Sequence, residues 1–316
     1  MKNKQMLFLY NPYSGKGTIK NHLSDVLDLF VKAGYDVVTR PVQNNLDHDL
    51  YETVKNFKYP YDIVACSGGD GSINGVIAGM VARNDRIPIG YIPTGTVNDF
   101  ASSLRIPKQI MKAAHQIVEG YPFPCDVGRF NDKNFVYVAA FGLFTDVSYE
   151  TNQGLKNIFG QAAYIMEGVK RISKLTKYHV KVTCDEQIIE DDFVVGMVTN
   201  SKSVGGFRSL IGSKVYFDDG QFEVTLIKYP RNLNEMRLIV NSLLSGKLDP
   251  EHIYQLRASR IVFESWDDIS WTRDGEYGGT FQTVEIENLQ QAVRIMVNEE
   301  HLKAVASDKT QVRRLD

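Results

Sequence analysis

Ser67-Gly68-Gly69-Asp70-Gly71-Ser72-Ile73-Asn74 is the stretch that decides the fold of the first part of the chain. The apolar segment Asp62–Cys66 before it predicts a strand, and the pattern over Ile73–Arg83 predicts a helix. Glycines let the backbone approach a phosphate group, and the start of a helix adds a positive dipole end. Asp70 would repel phosphate unless a divalent cation lies between them. The segment therefore predicts a phosphate-binding turn with a metal, although alone it could be an ordinary loop turn.

The residues around this stretch alternate between strand and helix patterns. Such alternation predicts a parallel sheet covered by helices on both faces, with ligands beyond the carboxyl ends of the strands. The predicted strands are Met6–Tyr10, Asp36–Thr39, Asp62–Cys66 and Pro88–Ile92, and the predicted helices cover residues 19–31, 46–57, 73–83 and 108–119.

Two further glycine-containing turns follow predicted strands in this region. Residues 11–17 read Asn-Pro-Tyr-Ser-Gly-Lys-Gly, and residues 93–100 read Pro-Thr-Gly-Thr-Val-Asn-Asp-Phe. The first is not a Walker loop, because Gly17 stands where that motif needs Ser or Thr after the lysine. Each turn alone could be an ordinary connection, and Asn98-Asp99 could simply cap a helix. Three such turns at successive strand ends indicate one shared ligand site.

The second half of the chain has a different pattern. Short apolar strands predominate after Asp126, some of them joined by turn signals such as Asp218-Asp219-Gly220, and this predicts a largely antiparallel domain. We expect an α/β domain over 1–125, a β domain over 126–302, and a tail over 303–316 that could return to the first domain. The Pro-containing stretch Tyr121–Pro124 is the expected hinge.

Composition narrows the class of protein. The chain has 316 residues, 43% hydrophobic and 23% charged, with a formal net charge of −2, so no global basic field attracts nucleic acid. The three cysteines are isolated, which suits a reducing cytoplasm. The N-terminus does not read as a signal peptide, and no window approaches the ~18 apolar residues of a membrane-spanning helix. We expect a cytoplasmic protein that meets any membrane from its surface.

Together these segments resemble the diacylglycerol kinase catalytic family, in its soluble bacterial lipid-kinase branch. The matching motifs are Asn-Pro-x-Ser-Gly-x-Gly at 11–17, Gly-Gly-Asp-Gly at 68–71, Pro-x-Gly-Thr-x-Asn-Asp at 93–99, Asp-x-Gly at 126–128, Val-Gly-Gly at 204–206, Asp-Asp-Gly at 218–220 and Asp-Gly-Glu at 274–276. They stand in the family's order over nearly the whole chain. The resemblance implies an N-terminal α/β nucleotide-binding domain similar to NAD kinase and phosphofructokinase, followed by a C-terminal antiparallel β-sandwich.

The resemblance also implies ATP as phosphoryl donor and Mg²⁺ as cofactor. The implied catalytic magnesium network is Asp70, Asp99 and Asp126, and a second, structural magnesium is implied at Asp219 with the carbonyls of Tyr216 and Gln221. The implied nucleotide contacts are Asn11, Pro12, Ser14, Gly15, Thr39, Gly68, Gly69, Asp70, Gly71, Ser72, Ile73, Asn74 and Thr96.

Four further residues complete the expected chemistry. Glu276 is the candidate base that accepts the proton of the substrate hydroxyl, although an exposed turn carboxylate is its alternative reading. Asp274 could orient Glu276 or help with magnesium. Lys16 and Lys156 are candidates for holding phosphate oxygens, and either could instead be a solvated lysine.

The acceptor is expected to be a membrane lipid alcohol, with diacylglycerol favoured over other lipid alcohols. Apolar residues that could line a lipid crevice, but are more often core, include Phe141, Leu143, Phe144, Ile158, Phe159, Ile165 and Met166. Basic residues that could touch anionic headgroups are Lys170, Arg171, Lys174 and Lys177. The rival functions are NAD kinase and a non-catalytic nucleotide-binding regulator. We expect no nucleic acid partner, and a homodimer would be unsurprising.

Overall fold

The computed structural model describes residues 3–43, 49–142, 175–201 and 215–312 of the chain. These residues divide into two compact units, Met1–Asp126 with Gln291–Asp316, and Val127–Gln290. The strands β5 (Tyr121–Phe130) and β13 (Glu276–Val297) contribute residues to both units.

The first unit is an α/β domain, as the alternating pattern predicts. The order of its sheet is β13-β4-β3-β1-β2, and β4, β3, β1 and β2 are mutually parallel. Its remaining elements are β1 (Lys4–Tyr10), α1 (Ile19–Lys32), β2 (Tyr35–Pro41), α2 (Asp49–Asn56), β3 (Ile63–Gly68), α3 (Asp70–Arg83), β4 (Ile89–Pro93), α4 (Asp99–Ser103), α5 (Ile110–Glu119) and α7 (Glu299–Val312).

Apolar periodicity explains the local structure of this unit. All six residues of β3 are buried, as expected for a parallel strand covered on both faces. In α1 the buried residues are Ile19, Val26 and Phe30, which share one face of the helix. Helix α3 begins at Asp70 rather than at Ile73, so the Gly-Gly-Asp-Gly motif includes the first turn of the helix.

The second unit is built from antiparallel strands. Its strand order is β11-β10-β9-β7-β12-β13, and β8 pairs with both β9 and β12. An aromatic core includes Phe141, Phe263 and Trp271, with ring centroids 4.9 to 5.9 Å apart. Its further elements are β6 (Lys133–Phe135), β7 (Val138–Gly142), β8 (Tyr178–Cys184), β9 (Gln187–Thr199), β10 (Phe222–Lys228), α6 (Leu233–Ser245), β11 (Ile253–Ala258) and β12 (Arg260–Arg273).

The structure differs from the sequence-based expectations at three places. Tyr121–Pro124 is the start of β5, not a hinge. The apolar segments Phe281–Ile286 and Val293–Asn298 each predict a separate strand, but a single strand of 22 residues, β13, runs from Glu276 to Val297. Its end pairs with β4 at Ile295↔Ile89, so the chain returns to the first unit at Gln291 rather than at 303, and helix α7 follows.

The expected lipid-contacting residues fall into two groups. Phe141 belongs to the aromatic core and is fully buried, so it is not part of a lipid crevice. Lys177 forms an ion pair with Asp192 at 3.0 Å. The other residues named for a crevice or a basic face lie outside the described residues, as do Lys156 and the segment 204–206.

Candidate active site

The three glycine-containing turns lie against one another in the first unit. A Cβ on Gly15, whose φ is +58°, would lie 2.3 Å from the carbonyl oxygen of Thr94. A Cβ on Gly95 would lie 2.6 Å from the Cα of Gly69. Both separations are shorter than real Cβ contacts, so only glycine allows this packing. The loops after β1, β3 and β4 therefore form one continuous surface at the carboxyl ends of these strands.

Backbone hydrogen bonds fix the three loops in register. The N–H of Asn11 donates to the carbonyl of Ser67 at 2.8 Å, and the N–H of Thr94 donates to the carbonyl of Gly68 at 2.8 Å. Within the third loop, Asn98 bonds to both backbone groups of Gly95, at 3.1 and 2.7 Å. These hydrogen bonds hold the three loops together as one surface.

Asp70 is positioned at the centre of this surface, in the first turn of α3. Its Oδ2 accepts a hydrogen bond from the N–H of Asn98 at 2.9 Å. Its Oδ1 is buried and accepts none from the described residues. Burial raises the pKa of Asp70, and the negative charge of Asp99 raises it further. A buried carboxylate oxygen without a donor, next to a second carboxylate, fits a divalent cation.

Asp126 has a different hydrogen-bond partner from that of Asp70. It is buried, and its Oδ1 accepts from the N–H of Gln291 at 2.8 Å.

Among the described residues, the only group of three side chains close enough to ligate one ion directly is Asp249, Glu251 and His252. Within that group the Asp249 carboxylate already bonds to His252 Nδ1 and to the N–H of Glu251, at 2.9 and 3.0 Å. These hydrogen bonds are those of a turn, and they explain why the three side chains lie close together without an ion.

The remaining expected nucleotide contacts differ in exposure. Ile73 is fully buried, so only its backbone can face a ligand. Asn11 Oδ1 accepts a hydrogen bond from the N–H of Tyr13 at 2.9 Å, which holds the first loop. Thr39 on β2, Thr96 and Lys16 are exposed. Ser72 is buried on α3, while Pro12, Ser14 and Asn74 are half-buried.

In the second unit, the turn between β12 and β13 places Asp274 and Glu276 in opposite environments. The Asp274 carboxylate is buried and accepts the N–H groups of Val136, Tyr137 and Val138 at 2.8, 2.9 and 3.0 Å. Burial raises the pKa of Asp274 to about 6 despite these donors. Glu276 is exposed, and no described residue forms a hydrogen bond or ion pair with its carboxylate.

The Asp218-Asp219-Gly220 turn belongs to a second carboxylate cluster. Asp219 Oδ1 accepts the N–H of Gln221 at 3.1 Å, and Oδ2 forms an ion pair with Arg257. Glu223 is buried beside them, with its Oε1 3.5 Å from Arg257 Nε. Burial raises the pKa of Glu223 to about 8.

This cluster contains two residues that the motifs did not indicate. Neither carboxylate oxygen of Glu223 accepts a hydrogen bond from the described residues, which fits a cation held by oxygen ligands beside Asp219. Arg257 supplies a positive charge at the same place. Glu223 follows Gln221 by two residues, and this spacing is the only sequence signal for it.

A parallel α/β domain whose glycine-rich loops form one surface at the carboxyl ends of the strands, beside two carboxylates, is typical of the class of nucleotide-binding domains. Comparison with known protein families agrees with this class. Residues 5–130 match the family model for the diacylglycerol kinase catalytic domain. Residues 138–297 match the model for the YegS C-terminal NAD kinase beta sandwich-like domain.

Whole-chain relatives carry the same assignment. A diacylglycerol kinase of Bacillus subtilis is 31% identical over 300 residues, covering 94% of this chain and 97% of that protein. A diacylglycerol kinase of Staphylococcus carnosus is 32% identical over 294 residues, covering 92% and 94%. A Bacillus anthracis crystal structure named after the same activity has a TM-score of 0.79 at 25% identity, covering 95% and 97%. The chain belongs to the diacylglycerol kinase family and is an enzyme of this lipid kinase type.

Proposed function

We propose that the protein transfers the γ-phosphoryl group of ATP to the hydroxyl of diacylglycerol, with Mg²⁺, and forms phosphatidic acid. The observation that carries this proposal is the buried Asp70 Oδ1, which accepts no hydrogen bond from the described residues and lies among three glycine-rich loops. The names of the curated relatives support diacylglycerol as the acceptor.

The first unit is proposed to bind the nucleotide. Loop residues Asn11–Gly15, the segment Gly68–Asn74 and Thr96 surround the glycine-rich surface, and Thr39 lies on the adjacent strand β2. The N–H groups of Asp70 and Gly71, the first two of α3, have no intrahelical partner and can donate to phosphate oxygens, whereas that of Ser72 donates to the carbonyl of Gly69 at 3.0 Å. Lys16 is proposed to neutralise phosphate charge from the first loop.

Asp70 and Asp99 are proposed to hold the catalytic magnesium, with Asp126 completing the network. A bound magnesium ion supplies positive charge that neutralises the phosphoryl oxygens. Asp219, with the carbonyls of Tyr216 and Gln221, is proposed to hold the structural ion, and the buried Glu223 adds a carboxylate to that site.

Glu276 is proposed to accept the proton of the lipid hydroxyl as the new oxygen–phosphorus bond forms and the bond to the leaving ADP breaks. Its exposed carboxylate forms no hydrogen bond or ion pair with the described residues, so it is available for this role. Asp274 is proposed as a positioning residue, because its three backbone hydrogen bonds hold the turn that carries Glu276. The proposal for Lys156 concerns a residue outside the described ranges.

The lipid acceptor is proposed to be met at the membrane surface. Within the residues that the structure describes, no helix is long and apolar enough to cross a membrane. Because diacylglycerol is insoluble in water, the proposal includes peripheral contact between the chain and the bilayer. A homodimer is a further proposal, which sedimentation of the full chain would test.

The decisive assay follows label from radiolabelled ATP in the presence of magnesium. Diacylglycerol, phosphatidylglycerol, undecaprenol and a sphingoid base are presented in mixed micelles, beside soluble NAD. We expect label in phosphatidic acid, and a loss on the order of 10²-fold or more in Glu276→Gln. Glu186→Gln is the matched control, because Glu186 is an exposed carboxylate in a turn of the same unit.

The outcomes separate the parts of the proposal. Label in another lipid would keep the kinase mechanism and change the acceptor, whereas label in NAD would refute the lipid assignment. Equal activity of the Glu276→Gln and Glu186→Gln variants would remove Glu276 from the role of base. ATP binding without transfer to any acceptor would indicate a nucleotide-binding regulator instead of a kinase.

A further inference from the structure

A cavity of about 640 Å³ opens beside the glycine-rich surface of the first unit. Three parts of the chain line it: the loop after β1 with the start of α1, the loop after β4, and the start of α5. Only the first two parts contain motif residues of the proposed nucleotide site. The residues from α1 and α5 are additional to that site.

The cavity is lined by basic groups and by no carboxylate. Lys16, His22 and Lys108 line it, and Asp and Glu are absent from its described lining. None of the three basic side chains forms a hydrogen bond or ion pair with the described part of the chain. Three unpaired basic groups around one cavity favour an anionic ligand, because they gain partners only when it binds.

A buried hydroxyl provides an independent indication of a ligand. Thr94 lines the same cavity and is 7% exposed, and its Oγ1 accepts or donates no hydrogen bond within the described residues. A buried hydroxyl without a partner is unfavourable by roughly 1–3 kcal/mol, so such groups usually have a ligand or water. Thr94 can donate this hydrogen to an anion in the cavity.

Helix α5 adds backbone donors at the same place. Its N-cap residue, Gln109, makes no side-chain cap, so the first N–H groups of the helix are not satisfied by that side chain. Gln109, Ile110 and Met111 all line the cavity. A ten-residue helix whose uncapped N-terminus faces basic side chains and a free hydroxyl is suited to phosphate.

We infer that this cavity binds a phosphate group, and that Lys108, His22 and Thr94 hold it together with Lys16. The inference rests on the proposed function, because it takes the bound phosphate to be the terminal part of the ATP triphosphate. The phosphate of the phosphorylated lipid product has the same chemistry and is the other source. Lys108 and His22 are phosphate-binding residues that lie outside all the recognised motifs.

The test uses isothermal titration calorimetry of the full chain with ATP, AMP, inorganic phosphate, and vesicles containing phosphatidic acid. The variants are Lys108→Gln, just before α5, and the matched control Lys112→Gln, which changes an exposed lysine in the first turn of α5 that does not line the cavity. Losing one charge-assisted hydrogen bond at an accessible site lowers affinity by about tenfold. Thermal melting confirms that each variant is folded.

We expect Lys108→Gln to weaken ATP binding by about tenfold and to leave AMP binding unchanged, because AMP lacks the two terminal phosphates. Lys112→Gln should bind both nucleotides as the native chain does. Adding His22→Gln to Lys108→Gln should weaken ATP binding further. A loss confined to phosphatidic acid vesicles would support the phosphate site and assign it to the product.

Three results would overturn the inference. Equal ATP, phosphate and vesicle affinities of Lys108→Gln and Lys112→Gln would show that Lys108 holds no phosphate. Equal losses for AMP and ATP would place Lys108 away from the terminal phosphates. A native chain that fails to bind ATP but binds inorganic phosphate through Lys108 would keep this inference and refute the proposed function. Failure to bind any of the phosphate ligands would refute both.

Discussion

Replacement of Asp274 by alanine is expected to destabilise the second unit strongly, although Asp274 is only two residues from the proposed base. The native carboxylate accepts three buried backbone N–H groups, from Val136, Tyr137 and Val138. Alanine leaves all three without an acceptor. Each unsatisfied buried donor costs about 1–3 kcal/mol, so the gross loss is about 3–9 kcal/mol.

The cost of burying the charged Asp274 carboxylate acts in the opposite direction to this loss. Burial raises the pKa of Asp274 to about 6, from an ordinary value of 3.8. The difference corresponds to about 3 kcal/mol of unfavourable burial of the charged form at neutral pH. Alanine removes that cost. The net destabilisation expected at pH 7 is therefore about 0–6 kcal/mol. Its midpoint, about 3 kcal/mol, is a large part of the 5–15 kcal/mol that holds a typical domain together.

The raised pKa of Asp274 also determines how the stability of the protein changes with pH. Between about pH 4 and pH 6 the folded protein binds more protons at Asp274 than the unfolded chain does, so the contribution of Asp274 to stability falls as pH rises through this window. Asp274→Asn does not titrate. The free energy of unfolding of Asp274→Asn minus that of the native protein should therefore increase by up to about 3 kcal/mol as the pH rises from 4 to 7.

Urea unfolding followed by tryptophan fluorescence measures both effects. Trp271 is buried in the core of the second unit, whereas Trp266 is 88% exposed and is replaced by phenylalanine in every sample. Glu276→Ala is the control and should change stability by no more than about 0.5 kcal/mol, because Glu276 is exposed. An unchanged urea midpoint and slope in Asp274→Ala would refute the reasoning, and so would a pH-independent difference in Asp274→Asn.

Two further predictions concern the glycine loops and the second carboxylate cluster. Gly95→Ala should lower ATP affinity and stability together, because the Cβ of alanine would lie 2.6 Å from the Cα of Gly69. Calorimetry measures the ATP affinity, and thermal melting measures the stability. Full retention of affinity and stability would exclude this close packing. Asp219→Ala should lower the melting temperature and abolish any increase caused by magnesium, because it removes the proposed metal ligand and one of the two ion-pair partners of Arg257. A native melting temperature that is independent of magnesium would count against the structural ion.

The order of elements in the first unit could be predicted because its strands are short apolar runs between helical patterns. The buried strand β3 and the glycine-rich turn after it are both visible as residue types. The packing of the three loops also follows from topology, since the carboxyl ends of parallel strands share one edge of a sheet. Hydrogen bonds such as that from Thr94 to Gly68 then fix the register.

The errors arose where tertiary pairing overrides local signals. Pro122 and Pro124 indicate a hinge in the sequence, yet they lie in β5, which pairs with β13 and β6. Phe281–Ile286 and Val293–Asn298 read as two separate strands in the sequence, yet β13 is continuous through both of them as far as Val297. Strand partners that are more than 100 residues away are invisible to patterns read over ten residues.

The candidate site shows the same limit at the level of single residues. Lys108 has the sequence context of any surface lysine before a helix, and only the fold places it at a cavity with Lys16 and Thr94. Glu223 alternates with apolar neighbours in β10 and would be expected at the surface, but it is buried beside Arg257. Motif spacing identifies groups that are close along the chain. It does not identify groups that the fold brings together.

The Asp-Gly-Glu turn shows how the fold gives two carboxylates separate roles. Asp274 has a φ of +49° and Gly275 a φ of +83°, and the left-handed conformation is unfavourable by roughly 1 kcal/mol for a residue with a side chain. The hydrogen bonds of the Asp274 carboxylate and its own N–H, which donates to Val138 at 2.8 Å, offset that cost. The turn is thus fixed at one end while Glu276 remains free at the other. Reactive groups act best when rigid neighbours fix their backbone, and this is the physical basis for proposing Asp274 as the residue that positions Glu276.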